Sequence, residues 1–169
     1  MIPSTTHSIP MSKFNVKEAV AALTLCASCT AAGAADIVDT MAHASSFKTF
    51  CAALQSSGLA HTLKYPGPYT VFAPSDEAIS RLPKGRWDAL LKDKARLADV
   101  LAHHVIKGRL VVAEVKPGDM PTLEGDPVHL ESDNGMVSVD SAKITQSDIE
   151  ADNGIIHEID ALLLPEADK

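Results

Sequence analysis

Aromatic residues are scarce in this sequence. One Trp, two Tyr and four Phe amount to 4% of 169 residues, so Val, Ile, Leu and Ala must fill the interior, and platforms for stacking bases are few. Positive charge is short as well: 15 Lys and Arg face 22 Asp and Glu, a formal net charge of -7. Such a balance repels phosphate backbones and offers no counterion release, which argues against nucleic acid as a partner. Beyond residue 36 there is no apolar run long enough to span a membrane, no repeat and no low-complexity block. The length suits one domain with one core.

Cysteine is limited to Cys26, Cys29 and Cys51. The first two fall in a leader whose layout is that of a secretory signal: Lys13 and Lys17, an apolar stretch from Ala19 to Leu25, and a small-residue exit at Ala32-Gly33-Ala34-Ala35. Met11 fits this layout as initiator better than Met1, because the residues before it are polar. We therefore expect residues 1–35 to be a signal peptide or disordered leader and the protein to be secreted or periplasmic. A lipid anchor at Cys26 or Cys29 lacks a convincing lipobox, since Leu25 precedes Cys26 and Cys26 takes the usual Leu position before Cys29. Without the leader the chain has 13 basic residues (15 minus 2) and 21 acidic ones (22 minus 1), a net charge of -8. Cys51 is then alone, so neither an internal disulfide nor a paired-cysteine zinc site is available.

The body opens with helical signals. Asp36 caps a helix carrying Ile37, Val38 and Met41, and Ser45-Ser46 opens a second with Phe47, Phe50, Cys51 and Leu54, closed by Gly58. A further turn covers Leu59 to Leu63. The stretch Tyr69-Thr70-Val71-Phe72 reads as a strand that stops at Pro74, where Ser75-Asp76-Glu77 begins another helix; Trp87, Leu90 and Leu91 mark one more. In the helix that follows, Leu97, Val100, Leu101 and His104 recur at i, i+3, i+4 and i+7, which puts His104 on the buried face and His103 off it. Past Gly108 the pattern turns to strands at Val128–Ser132, Met136–Val139 and Lys143–Gln146, with a hairpin signal at Asp133-Asn134-Gly135. Asn153-Gly154 launches a last strand with Ile155, His157 and Ile159 facing one way and Ile156, Glu158 and Asp160 the other, one face dry and one wet. Helices first and strands later predict a segregated α+β domain.

Two constellations contain reactive groups. Ser75, Asp76 and His104 are the ingredients of a hydrolase, but no nucleophile elbow surrounds the serine, and Ser-Asp at a helix start is most simply a cap worth about 1 kcal/mol. His103, His104, His129 and His157 are metal-ligand types without a recognised ligand spacing. For His104 and His157 the simpler role is that of core histidines bonded to backbone carbonyls, and for Cys51 that of a small hydrophobe.

Two longer motifs carry a family resemblance. Thr70-Val71-Phe72-Ala73-Pro74-Ser75-Asp76-Glu77-Ala78-Ile79 and Asn153 to Pro165 resemble the two signatures of the fasciclin (FAS1) domain, in the right order, and the chain is similar to its single-domain secreted bacterial form. The family usually places a Tyr-His pair between them, and here His103-His104 stands there with the tyrosine replaced. The resemblance implies a fasciclin domain over residues 36–165 followed by a charged tail, 166–169. It implies a wedge of β-strands with short helices packed along one edge, the signature segments side by side, with Thr70, Phe72, Pro74, Ser75, Asp76, Asn153, Gly154, His157 and Asp160 as structural residues. It implies no enzyme and no cofactor, but a binding module for cell adhesion whose partner is a protein or glycan on a cell surface or matrix. His103, His104, Asp148 and Ile149 are its candidate adhesion residues; the plainer role for the last two is that Asp148 caps a turn and Ile149 plugs the core. Two other readings stay open: a hydrolase or metal-dependent enzyme centred on His104, and a glycan or small-ligand binder, which needs a cleft.

Overall fold

The structure, a computed structural model, describes residues 35–165. Residues 1–34 of the leader, with Cys26 and Cys29, and the tail 166–169 lie outside the described residues. Among the described residues, six short helices pack beside one sheet. Asp36 caps α1 (Ile37–His43) by accepting the Asp39 N–H at 2.8 Å. For α2 (Lys48–Ser57) the capping group comes from elsewhere in the chain than Ser45-Ser46: Asp76 Oδ1 accepts the Thr49 N–H at 2.8 Å, while the Asp76 N–H donates to the Ser46 carbonyl. Gly58, at φ 82°, turns the chain out of α2 and into α3 (Leu59–Thr62), a left-handed position that suits glycine.

Strand β1 (Tyr69–Pro74) then runs into α4 (Asp76–Ser80), where Ser75 Oγ accepts the Ala78 N–H at 3.1 Å. Ser75 and Asp76 thus cap two different helices and staple α2 to the strand–helix corner. Helices α5 (Arg86–Lys92) and α6 (Lys94–His103) lead to β2 (Val105–Lys107). A 3-10 turn (Val112–Glu114) precedes β3 (Gly118–Pro121), β4 (Pro127–Asp133), β5 (Met136–Val139), β6 (Ala142–Ala151) and β7 (Gly154–Ile159). The β4–β5 hairpin turns on Asn134 and Gly135, both at positive φ, as a two-residue hairpin requires.

Strand order is β2-β1-β7-β6-β5-β4-β3, and only the β1–β7 pair is parallel. The two signature segments lie side by side, in register from Tyr69 opposite Gly154 to Pro74 opposite Ile159. A Cβ on Gly154 would strike the Tyr69 carbonyl oxygen, so this close approach requires glycine. The sheet curls until its terminal strands meet: Ile106 pairs with Thr122, and the Leu123 N–H donates to the Val105 carbonyl at 2.7 Å.

Curling creates two apolar cores. On the helix side, Ile37, Met41, Phe50, Leu54, Leu97 and Leu101 pack on Val71, Ala73, Val105 and Ile156. Within the curl, Phe72, Ile106, Val128, Leu130, Val139, Ala142, Ile159 and Leu163 close on one another. Each large aliphatic so buried contributes roughly 2 kcal/mol. Strand β7 separates the cores, so the expected wet face is absent: Ile155, Ile156, His157 and Ile159 are all buried, and Glu158 and Asp160 are half-buried. Alternation failed there because both faces are covered, the case in which strands lose their period of two. Strand β6 also runs five residues past the predicted end at Gln146. Its pairing to β7 shifts register between Ile144 and Gln146 and again between Gln146 and Ile149, so the extension is bulged.

Candidate functional site

The polar residues singled out in the two signature segments are engaged in holding the fold together. Thr70 Oγ1 donates to the Gly108 carbonyl at 2.7 Å and accepts the Leu110 N–H at 2.9 Å, tying β1 to the exit from β2. Phe72 stacks on His157 with ring centroids 5.6 Å apart. Pro74 is buried at the end of β1, and the next N–H, that of Ser75, donates to Ile159 O. Asn153 does more than launch a strand: its Oδ1 accepts the Ile37 N–H at 2.9 Å, its Nδ2 donates to the carbonyls of Leu63 and Tyr65, and its own carbonyl accepts the Tyr69 N–H. Its side-chain amide thereby serves the start of α1 and the end of α3, and its backbone carbonyl the start of β1. Asp160 Oδ1 accepts the Lys143 N–H at 2.7 Å, closing β6 on the end of β7.

The histidines divide into engaged and unengaged rings. His104, fully buried, donates from Nδ1 to the Val100 carbonyl at 2.7 Å, and its Nε2 accepts the Leu163 N–H at 3.0 Å. His157 donates from Nε2 to the Leu110 carbonyl at 2.7 Å and accepts the Asp148 N–H on Nδ1 at 3.2 Å. Each ring therefore uses one carbonyl and one N–H, rather than two carbonyls, and only a neutral imidazole has one donor and one acceptor. Burial pushes His104 down to about 4, against a smaller upward pull from the Val100 bond. Burial likewise lowers His157, with the Leu110 bond and Asp148 opposing. At the surface, the bond to Asp119 at 2.6 Å raises His129.

His103 departs from expectation. It is only 2% exposed, and neither ring nitrogen has a hydrogen-bond partner. Helical periodicity placed it off the buried face because it counts only neighbours along α6. The β3–β4 and β5–β6 turns fold over the end of that helix and cover it, bringing Glu124 Oε2 to 3.6 Å from Nδ1 and Asp140 Oδ2 to 3.9 Å from Nε2.

Asp148 and Ile149 sit in the bulge of β6, both half-buried. Asp148 has φ 56°, and its Oδ1 accepts the Val112 N–H at 3.0 Å, which pins the 3-10 turn to the bulge. Ile149 packs against the helix-side core. Among the described residues, no hydrogen bond or ion pair joins Asp148 or Ile149 to His103 or His104. What the structure does join is Asp148 to His157. Outward from the bulge, Gln146, Ser147 and Glu150 are exposed.

The ingredients of hydrolysis are not assembled. Ser75 Oγ, Asp76 Oδ1 and both nitrogens of His104 are each bonded to backbone groups rather than to one another. Among the described residues no group of three His, Cys, Asp or Glu side chains is placed to hold a metal ion, and no helix is long and apolar enough to cross a membrane. Cys51 is buried, and burial raises its thiol.

Comparison with known proteins matches this chain to the fasciclin domain over residues 45–165. Protein sll1483 of Synechocystis sp. is 36% identical over 131 residues, 76% of this chain and 73% of that protein. The transforming growth factor-beta-induced protein ig-h3 of Sus scrofa is 37% identical over 134 residues, 79% of this chain but only 20% of that longer protein. Among solved structures, a FAS1 domain pair from the insect cell adhesion molecule fasciclin I superposes with a TM-score of 0.62 at 18% identity, over 79% of this chain and 52% of that one.

Proposed function

Because the chain belongs to the fasciclin domain family, we propose that it is a non-catalytic binding module, acting outside the cytoplasm in adhesion to a cell surface or matrix. One observation carries the reading: the groups that chemistry would need are committed to backbone hydrogen bonds. Ser75 and Asp76 cap helices, and His104 holds α6 to the Leu163 segment. A nucleophile requires a base within reach and a place for the reacting atom, and this arrangement supplies neither. The same commitment assigns the histidines. Being buried, His103 and His104 shape the fold and do not touch a partner.

Contact then falls to the bulge of β6. Gln146 and Ser147 are its exposed residues, while Asp148 and Ile149 fix its shape from below through Val112, His157 and the helix-side core. Bulges re-aim side chains at functional positions, and the partner is a protein or glycan. Residues 1–35 act in this scheme as the export signal. The test is capture by immobilised full-length protein from panels of matrix proteins, glycans and envelope components. A Gln146→Arg, Ser147→Arg double variant with an unchanged melting temperature should lose that capture. Retained capture would place the surface elsewhere, and ester hydrolysis that His104→Gln abolishes would sink the non-catalytic reading.

A further inference from the structure

A neutral imidazole between two ionised carboxylates is mismatched, because it offers one N–H and one lone pair where both neighbours only accept. His103 is in that position, with Glu124 Oε2 facing Nδ1 at 3.6 Å and Asp140 Oδ2 facing Nε2 at 3.9 Å. Both gaps exceed the 2.7–2.9 Å of a charge-assisted bond by about an ångström. Neither nitrogen is bonded to anything else, and buried polar atoms without partners are rare in folded proteins. The carboxylates are held at the ring from outside. Asp140 Oδ1 accepts the His129 N–H at 2.9 Å, leaving Oδ2 toward the imidazole, and Glu124 Oε2 also accepts the Asp126 N–H at 3.2 Å. The neighbouring titratable ring on α6, His104, is occupied by Val100 and Leu163.

From this geometry we infer that His103, Glu124 and Asp140 form a proton-operated latch. Taking up a proton gives the ring two donors, one for each carboxylate, and draws the β3–β4 and β5–β6 turns onto the end of α6. The latch joins three segments distant in sequence at the seam where the curled sheet closes, since Leu123, beside Glu124, donates to Val105 of β2. Asp140 also lines a hollow of about 440 Å³ with Ser141, Leu162, Leu163 and Leu164, so closing the latch moves one wall of that hollow.

The test uses the full chain and three proteins: wild type, His103→Tyr, and the pair Glu124→Gln with Asp140→Asn. Between pH 7.5 and 5.5 both variants should lose about 5 °C more melting temperature than wild type, because only wild type gains two charge-assisted bonds over that interval. Proton NMR of wild type at pH 5.5 should show hydrogen-bonded imidazolium N–H signals of His103 at low field, absent from the carboxylate variant. Equal losses in all three proteins, or a His103 ring without such signals at pH 5.5, would overturn the latch. The NMR reading on wild type stands even if the tyrosine variant fails to fold.

Discussion

Replacing His104 by Gln tests the central structural role given to a buried histidine. In the native state the ring is neutral, donating to Val100 and accepting from Leu163, and burial holds it down to about 4. An unfolded chain protonates the same ring near its ordinary value of 6.5. The stability that this residue supplies is therefore complete above pH 6.5, falls as the pH drops from 6.5 to 4, and changes no further below. A difference of about 2.5 units at 1.36 kcal/mol each comes to about 3 kcal/mol, or roughly 12 °C in melting temperature at about 4 °C per kcal/mol. Glutamine keeps a donor and an acceptor but does not titrate. His104→Gln should start lower at pH 7.5, by about 1–3 kcal/mol for imperfect bonds to Val100 and Leu163. It should then lose about 12 °C less than wild type between pH 6.5 and 4. Calorimetry at half-unit steps of pH measures both. If the variant and wild type decline in parallel, the neutral ring of His104 is not what acid attacks.

Three further substitutions probe the joints of the fold. Asn153→Ala leaves the Ile37 N–H and the Leu63 and Tyr65 carbonyls without their partner, and should cost about 3 kcal/mol in urea unfolding; a loss below about 1 kcal/mol would mean that water replaces the amide. Asp76→Ala removes the cap of α2 and should cost about 1 kcal/mol, with faster amide hydrogen exchange at Thr49 as the local sign. Gly154→Ala forces a Cβ against the Tyr69 carbonyl and should separate β1 from β7, giving little or no soluble folded protein. Cys51, buried with its thiol raised, should react with a thiol reagent only on unfolding; prompt reaction at neutral pH in the folded protein would place it at the surface.

What could be read from the sequence depended on whether its signal was local. The corner at Ser75-Asp76 was legible because strand, proline and cap are adjacent in the chain, yet which helix Asp76 caps was not, since Thr49 is its partner from another element. The β4–β5 hairpin was legible from Asn134-Gly135. The far half of β6 was hidden, because Gln146-Ser147-Asp148 breaks the alternation at the bulge. His104 followed from helical spacing. His103 did not, because its cover comes from two turns twenty and more residues downstream. The Asp148–His157 bond likewise spans a register shift that no periodicity reveals.

The meeting of Ile106 with Thr122 has a consequence for recognition. Where the first and last ribbons of a pleated surface clasp each other, the amide of Leu123 and the carbonyl of Val105 are spent on that clasp and are withheld from a visiting peptide at that point.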